Sequence, residues 1–171
     1  VVRRFTSYQD YLKGEADGIA VSTDGKLMLG PGYTTVMETE EPFIYSSAVT
    51  GEGTIYLETG NGGKVFRASG TDRKMLAELD EPGVYALAID SANRLYAGTS
   101  PAGKVYRISP DGKTEVFFDP GEKLIWDLAF DRNDNLYVAT GTKGIIYKVD
   151  PAGEDTEIFD SQETHIVTLE I

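Results

Sequence analysis

The chain has 171 residues, of which 40% are hydrophobic and 11% aromatic, enough apolar surface for one packed domain and too much for a disordered chain. Its 16 basic and 28 acidic residues leave a formal net charge of -12, which repels nucleic-acid phosphates and anionic lipid and argues against both as partners. Cysteine is absent, so there is no disulfide frame, thiolate nucleophile or sulfur metal site, and no apolar run approaches the roughly 20 residues of a membrane-spanning helix.

The first residue is Val1, and neither an initiator methionine nor a charged, apolar leader is present; a removed signal peptide and an excised segment both fit. Thr6 with Gln9 three places on, Tyr8 and Leu12 on one face and Gly14 behind predict a short capped helix. Residues 18–22 and 26–29 then read as a hairpin around Thr23-Asp24-Gly25. Gly30-Pro31-Gly32 breaks the chain before an outer strand expected over 34–40. Residues 1–43 are thus an irregular segment with a degenerate copy of the unit that follows.

From Ile44 the sequence repeats itself. The stretches that begin at Ile44, Val84 and Ile125 align through Tyr45, Tyr85 and Trp126, through Tyr56, Tyr96 and Tyr137, and through Phe66, Tyr106 and Tyr147. Each set recurs 40 and then 41 residues apart. Every copy holds four short segments rich in β-branched and aromatic residues, separated by Gly, Asn, Asp and Pro. The spacers are too short for crossover helices, so the four strands form an antiparallel meander. In the middle copy Val84, Ala86 and Ala88 alternate with Leu87 and Ile89. A strand apolar on both faces is buried on both sides and therefore innermost. A four-stranded unit of this length, stable only against copies of itself, is a propeller blade. The blades predicted are 44–83, 84–124 and 125–164, with 165–171 as the first strand of another, so the fold class is all-β with an incomplete ring.

The recurring form, from Asp131 through Leu136-Tyr137-Val138-Ala139-Thr140 to Gly144-Ile145-Ile146-Tyr147-Lys148-Val149-Asp150-Pro151, resembles bacterial propeller repeats of the NHL, YVTN and two-component-regulator sensor kinds. The resemblance covers residues 44–160 and rests on turn and packing positions. It implies a binding or scaffold role in many members. In a minority it implies lactone hydrolysis or lyase chemistry with a metal in the central channel.

Five residues are candidates for a ligand site. Tyr45, Tyr85 and Trp126 open successive inner strands near the expected channel mouth, where rings either pack between blades or stack on a sugar or peptide. Asp127 aligns with Ser46 and Ala86, so it is either a channel carboxylate able to bind metal or act as a base, or a hydrogen-bonded structural acid. His165, the single histidine, is either a proton carrier or a surface loop residue. Asp131, Asn133 and Asn135 imitate half of a calcium loop, but Leu136 stands where glycine is needed and a simple turn is the better reading. Gly60-Asn61-Gly62-Gly63 is a turn as well, since no helix follows to hold a phosphate. No catalytic constellation, cofactor motif or metal set emerges. The expectation is a non-catalytic scaffold for a protein or small ligand, with an architectural module of a secreted or periplasmic protein and a channel-metal hydrolase or lyase as alternatives. An incomplete ring also leaves open edges that self-association would cover.

Overall fold

A computed structural model of the protein describes residues 18–22, 24, 26–30, 32, 34–60 and 62–171. The helix expected at 6–14 lies outside them. All regular structure among the described residues is strand, and no helix there is long and apolar enough to cross a membrane. The chain divides into two compact units, Val1–Val36 and Met37–Ile171.

The first unit holds the expected hairpin. Strands β1 (Ile19–Val21) and β2 (Leu27–Leu29) run antiparallel with Ile19 opposite Leu29 and Val21 opposite Leu27. The outer strand expected over 34–40 is not formed, because no described segment runs beside it to complete a ladder.

The second unit contains three four-stranded antiparallel sheets, each a meander in chain order. The first comprises β3 (Ser46–Val49), β4 (Ile55–Glu58), β5 (Lys64–Ser69) and β6 (Asp72–Glu78). The second comprises β7 (Gly83–Ile89), β8 (Leu95–Ser100), β9 (Val105–Ile108) and β10 (Thr114–Phe118). The third comprises β11 (Leu124–Phe130), β12 (Leu136–Gly141), β13 (Ile145–Val149) and β14 (Asp155–Asp160). Residues 165–171 form only an isolated bridge, Gly141 with His165, and no ladder.

The three inner hairpins share one turn. Gly53, Asn93 and Asp134 each take a positive φ and donate their amide three residues back, to the carbonyls of Thr50, Asp90 and Asp131. Glycine, asparagine and aspartate are the residues that tolerate this left-handed geometry, so the sequence varies here without altering the turn.

The core lies between sheets. Tyr56, Val65 and Ala77 of the first sheet pack against Val84, Leu95 and Tyr106 of the second. Tyr96 and Val105 of the second pack in turn with Ile125, Leu136 and Val138 of the third. Equivalent positions show what each neighbour covers. Val84 and Ile125 are 0% exposed whereas Ile44 is 51% exposed, and Phe118 is 7% exposed whereas Phe159 is 52%. Each sheet is a blade whose faces are finished by the next blade, and the three form an arc of a propeller, not a closed ring.

Polar joints reinforce this packing at one repeat position. The Leu87 amide donates to Ser46 Oγ at 3.1 Å across the first joint, and the Leu169 amide donates to Asp127 Oδ2 at 2.7 Å. Ala86 occupies the same position in the middle blade and has no acceptor to offer. There the second joint is tied at the hairpin turns, where Ser91 donates its amide (2.9 Å) and hydroxyl (2.5 Å) to the Asp134 carboxylate.

Candidate functional site

The links between blades and the turns between second and third strands lie together. A glutamate at one repeat position ties them in each blade: Glu41 pairs with Lys64, Glu81 accepts the Ala102 amide at 3.1 Å, and Glu122 stands 3.1 Å from Lys143 Nζ. The inner strands begin at this end, and their first residues carry the predicted aromatics.

Those rings form one continuous ladder. Phe43 and Tyr45 have centroids 6.0 Å apart, Tyr45 and Tyr85 5.6 Å, Tyr85 and Trp126 5.5 Å, and Trp126 and His165 5.7 Å. Interplanar angles of 47° to 83° make these tilted and edge-to-face contacts, which set a ring's positive edge against its neighbour's negative face. Trp126 Nε1 also donates to His165 Nδ1 at 3.1 Å. Phe43 and Tyr45 are more than half exposed, His165 is exposed, and Tyr85 and Trp126 are half-buried. Four of the five predicted site residues thus meet on one surface, and Phe43 extends it.

Backbone irregularity aims the rings. Pairing of β7 with β8 skips from Val84–Thr99 to Ala86–Gly98, and pairing of β11 with β12 skips from Ile125–Thr140 to Asp127–Ala139. Tyr85 and Trp126 are therefore the extra residues of β-bulges, which turn a side chain away from the regular alternation of the strand. Two glycines make room for the rings. A Cβ on Gly60, at φ +65°, would fall 1.9 Å from the Tyr45 ring, and one on Gly141 would fall 2.5 Å from both Trp126 Nε1 and His165 Nδ1.

Asp127 lies beside the ladder and serves the joint. Its Oδ1 accepts the Leu128 amide at 2.9 Å while its Oδ2 holds Leu169. Asp131 is similarly engaged: Oδ1 accepts the amides of Asn133 (2.8 Å) and Asn135 (3.0 Å), and Oδ2 accepts Asn135 Nδ2 at 2.8 Å. Among the described residues no group of three or more His, Cys, Asp or Glu side chains converges to hold a metal ion.

One polar residue escaped the sequence reading. Glu58, at the end of β4, is 0% exposed, and the equivalent positions carry Gly98 and Ala139. Its Oε2 accepts the Gly60 amide at 2.7 Å, whereas Oε1 is buried without a hydrogen-bond partner among the described residues. Burial pushes the carboxyl up to about 7, against the opposing pull of the Gly60, Ser46 and Tyr45 amides. Adjacent Thr59 also has a buried, unpartnered hydroxyl, although Thr99 and Thr140 satisfy theirs on the backbone of Lys104 and Ile145. The available signal was an acid in a column otherwise occupied by small residues.

No protein-family model matches the chain, and no curated protein matches it in sequence. Solved structures do match in fold. Virginiamycin B lyase from Staphylococcus aureus superimposes with a TM-score of 0.62 at 16% identity, over 81% of this chain and 47% of that one. A streptogramin B lyase gives 0.62 at 12% identity, over 81% and 46%. A chain of a nidogen/laminin complex gives 0.65 at 16% identity, over 83% and 55%. This chain spans about half the length of each. Repeat period, meander blades, cores between blades and these matches agree that the chain is a β-propeller repeat protein.

Proposed function

We propose that the chain is a non-catalytic propeller segment that binds a protein or small-molecule ligand on the face carrying the aromatic ladder. The observation that supports this reading is the ladder itself: five rings in contact, partly exposed, on one end of the blades. Aromatic side chains bring large contact area at low conformational cost, and they dominate the energetics of recognition surfaces. Asp127 supports the surface from behind by fixing the joint. One matched chain comes from a nidogen/laminin complex, so a propeller of this general form can be part of a protein assembly.

Trp126 is the only tryptophan, and its fluorescence therefore reports on the ladder alone. A panel of oligosaccharides, basic, acidic and neutral peptides, and free amines should contain at least one probe giving a saturable change in that emission. Tyr45→Ala or Tyr85→Ala should weaken this binding by tenfold or more with far-UV circular dichroism unchanged. Absence of any saturable response, or a response indifferent to both substitutions, would remove the reading.

The second reading is a lyase or hydrolase segment, favoured by the match to virginiamycin B lyase and by the buried Glu58 carboxyl. The described residues do not fit a channel metal, since Asp127 is engaged with backbone amides and no carboxylate or histidine cluster accompanies it. Turnover of a lactone or of virginiamycin B by the chain, abolished by Glu58→Gln, would put this reading first.

A further inference from the structure

The Tyr45 end of the ladder differs chemically from the rest. At the other rungs, the second strand of the blade presents Gly98 or Ala139, and Gly98 leaves space that Ile125 fills. In the first blade the same position is Glu58, and the residue equivalent to Ile125 is the smaller Val84. The carboxylate grips the turn through Gly60, and the Tyr45 ring rests on the α-carbon of that same glycine. The half-exposed Tyr45 ring, flanked by Phe43, thus stands against a turn held by a buried carboxylate whose Oε1 has no hydrogen-bond partner among the described residues. Among the described residues no lysine or arginine pairs with this carboxylate, and the Lys64 ammonium is paired with Glu41.

We propose that this end of the ladder binds a ligand through a primary ammonium group, with its N–H donors taken by Glu58 Oε1 and its charge set against the faces of Tyr45 and Phe43. The proposal rests on the ladder being a ligand surface and names the chemistry of that ligand. A buried carboxylate oxygen without a donor is completed by a donor that also carries positive charge, and aromatic faces attract the same group. The net charge of -12 draws cations toward the chain and repels acidic ligands.

The test is a titration of the full chain at pH 8, where Glu58 is ionised, with butylammonium chloride, followed by amide and aromatic NMR shifts, against 1-butanol in matched sodium chloride. Butylammonium should give saturable shifts centred on Phe43, Tyr45 and Gly60, and 1-butanol should bind at least tenfold more weakly. Glu58→Gln, which keeps the shape and removes the charge, should weaken butylammonium about tenfold and leave 1-butanol unchanged. Tyr45→Leu provides an independent variant should the Gln substitution disturb the blade, and it too should lose the preference for the cation. A peptide, acetyl-Gly-Lys-Gly-amide, identifies the source: tighter binding than butylammonium points to a lysine on a polypeptide, and equal binding to a free amine. Equal affinity for butylammonium and 1-butanol, Glu58→Gln binding as well as the parent, or shifts scattered over surface carboxylates would each overturn the proposal. If Trp126 emission responds to a neutral sugar or an acidic peptide but not to an ammonium, the ladder remains a binding surface and only the ammonium chemistry falls. No response to any probe removes both.

Discussion

Glu58 sets an unusual pH dependence at the scale of one residue. Its carboxyl titrates at about 7 when folded and near its ordinary 4.5 when the chain unfolds, so between those values the folded state binds the proton more tightly. Stability contributed by this group is full below about 4.5 and is lost as pH rises through 7, by up to about 3 kcal/mol. The turn acids Asp131 and Asp134 act oppositely. Hydrogen bonds from Asn135 and Ser91 hold their carboxyls below the usual range, so their contribution is lost in acid, below about 4. Denaturant midpoints should therefore decline from pH 5 to pH 8, and Glu58→Gln should flatten that slope. A parent protein equally stable across the range would refute the assignment. Gly60 is a second sensitive residue: Gly60→Ala combines a positive φ with a Cβ inside the Tyr45 ring volume. It should destabilise the first blade by about 1–3 kcal/mol and displace the Tyr45 ring resonances in NMR spectra.

Between elements, the joints depend on single acceptors. Asp127→Ala leaves the Leu169 amide without its carboxylate, and hydrogen bonds to charged groups are worth about 1.5–3 kcal/mol. Ser46→Ala removes a neutral acceptor from Leu87 and should cost about 1 kcal/mol. Amide exchange at Leu169 should accelerate in the first variant more than exchange at Leu87 does in the second; the reverse order would mean that packing, not the acceptor, holds residues 165–171. The sequence comparison placed Asp127 in register with Ser46 but could not show this shared duty, because the partner amides lie 41 and 42 residues away. Strand order and turn positions, by contrast, were legible, since they follow from period-2 alternation and turn chemistry within each copy. The bulges at Tyr85 and Trp126 were hidden for the same reason: a strand apolar on both faces reads alike with or without an extra residue. Residues 34–40 failed as a strand because a ladder needs a neighbour, which local propensity does not supply.

Over the whole molecule, the repeat predicted that blades would finish one another, and exposure along the arc bears this out. Phe118 is covered by the blade after it, and Phe159, its equivalent, is not. Ile158 and Val167 share that exposure. Large apolar faces of this kind promote association, and we expect the chain to self-associate with increasing concentration in light scattering. Phe159→Asp should shift it toward monomer, and an unchanged mass distribution would exclude this face from the contact. The candidate site was legible as far as its aromatic rungs, which stand in a column of the repeat. Glu58 was missed because an acid within a strand reads as a solvated residue until burial is known.

The bulges also separate two tasks that a regular strand would combine. Since Tyr85 and Trp126 stand outside the paired register of their sheets, either can be exchanged for another side chain while every neighbouring cross-strand pair stays in place. Chemical character at the mouth of the blades can thus drift, or be engineered rung by rung, on a framework that scarcely registers the change.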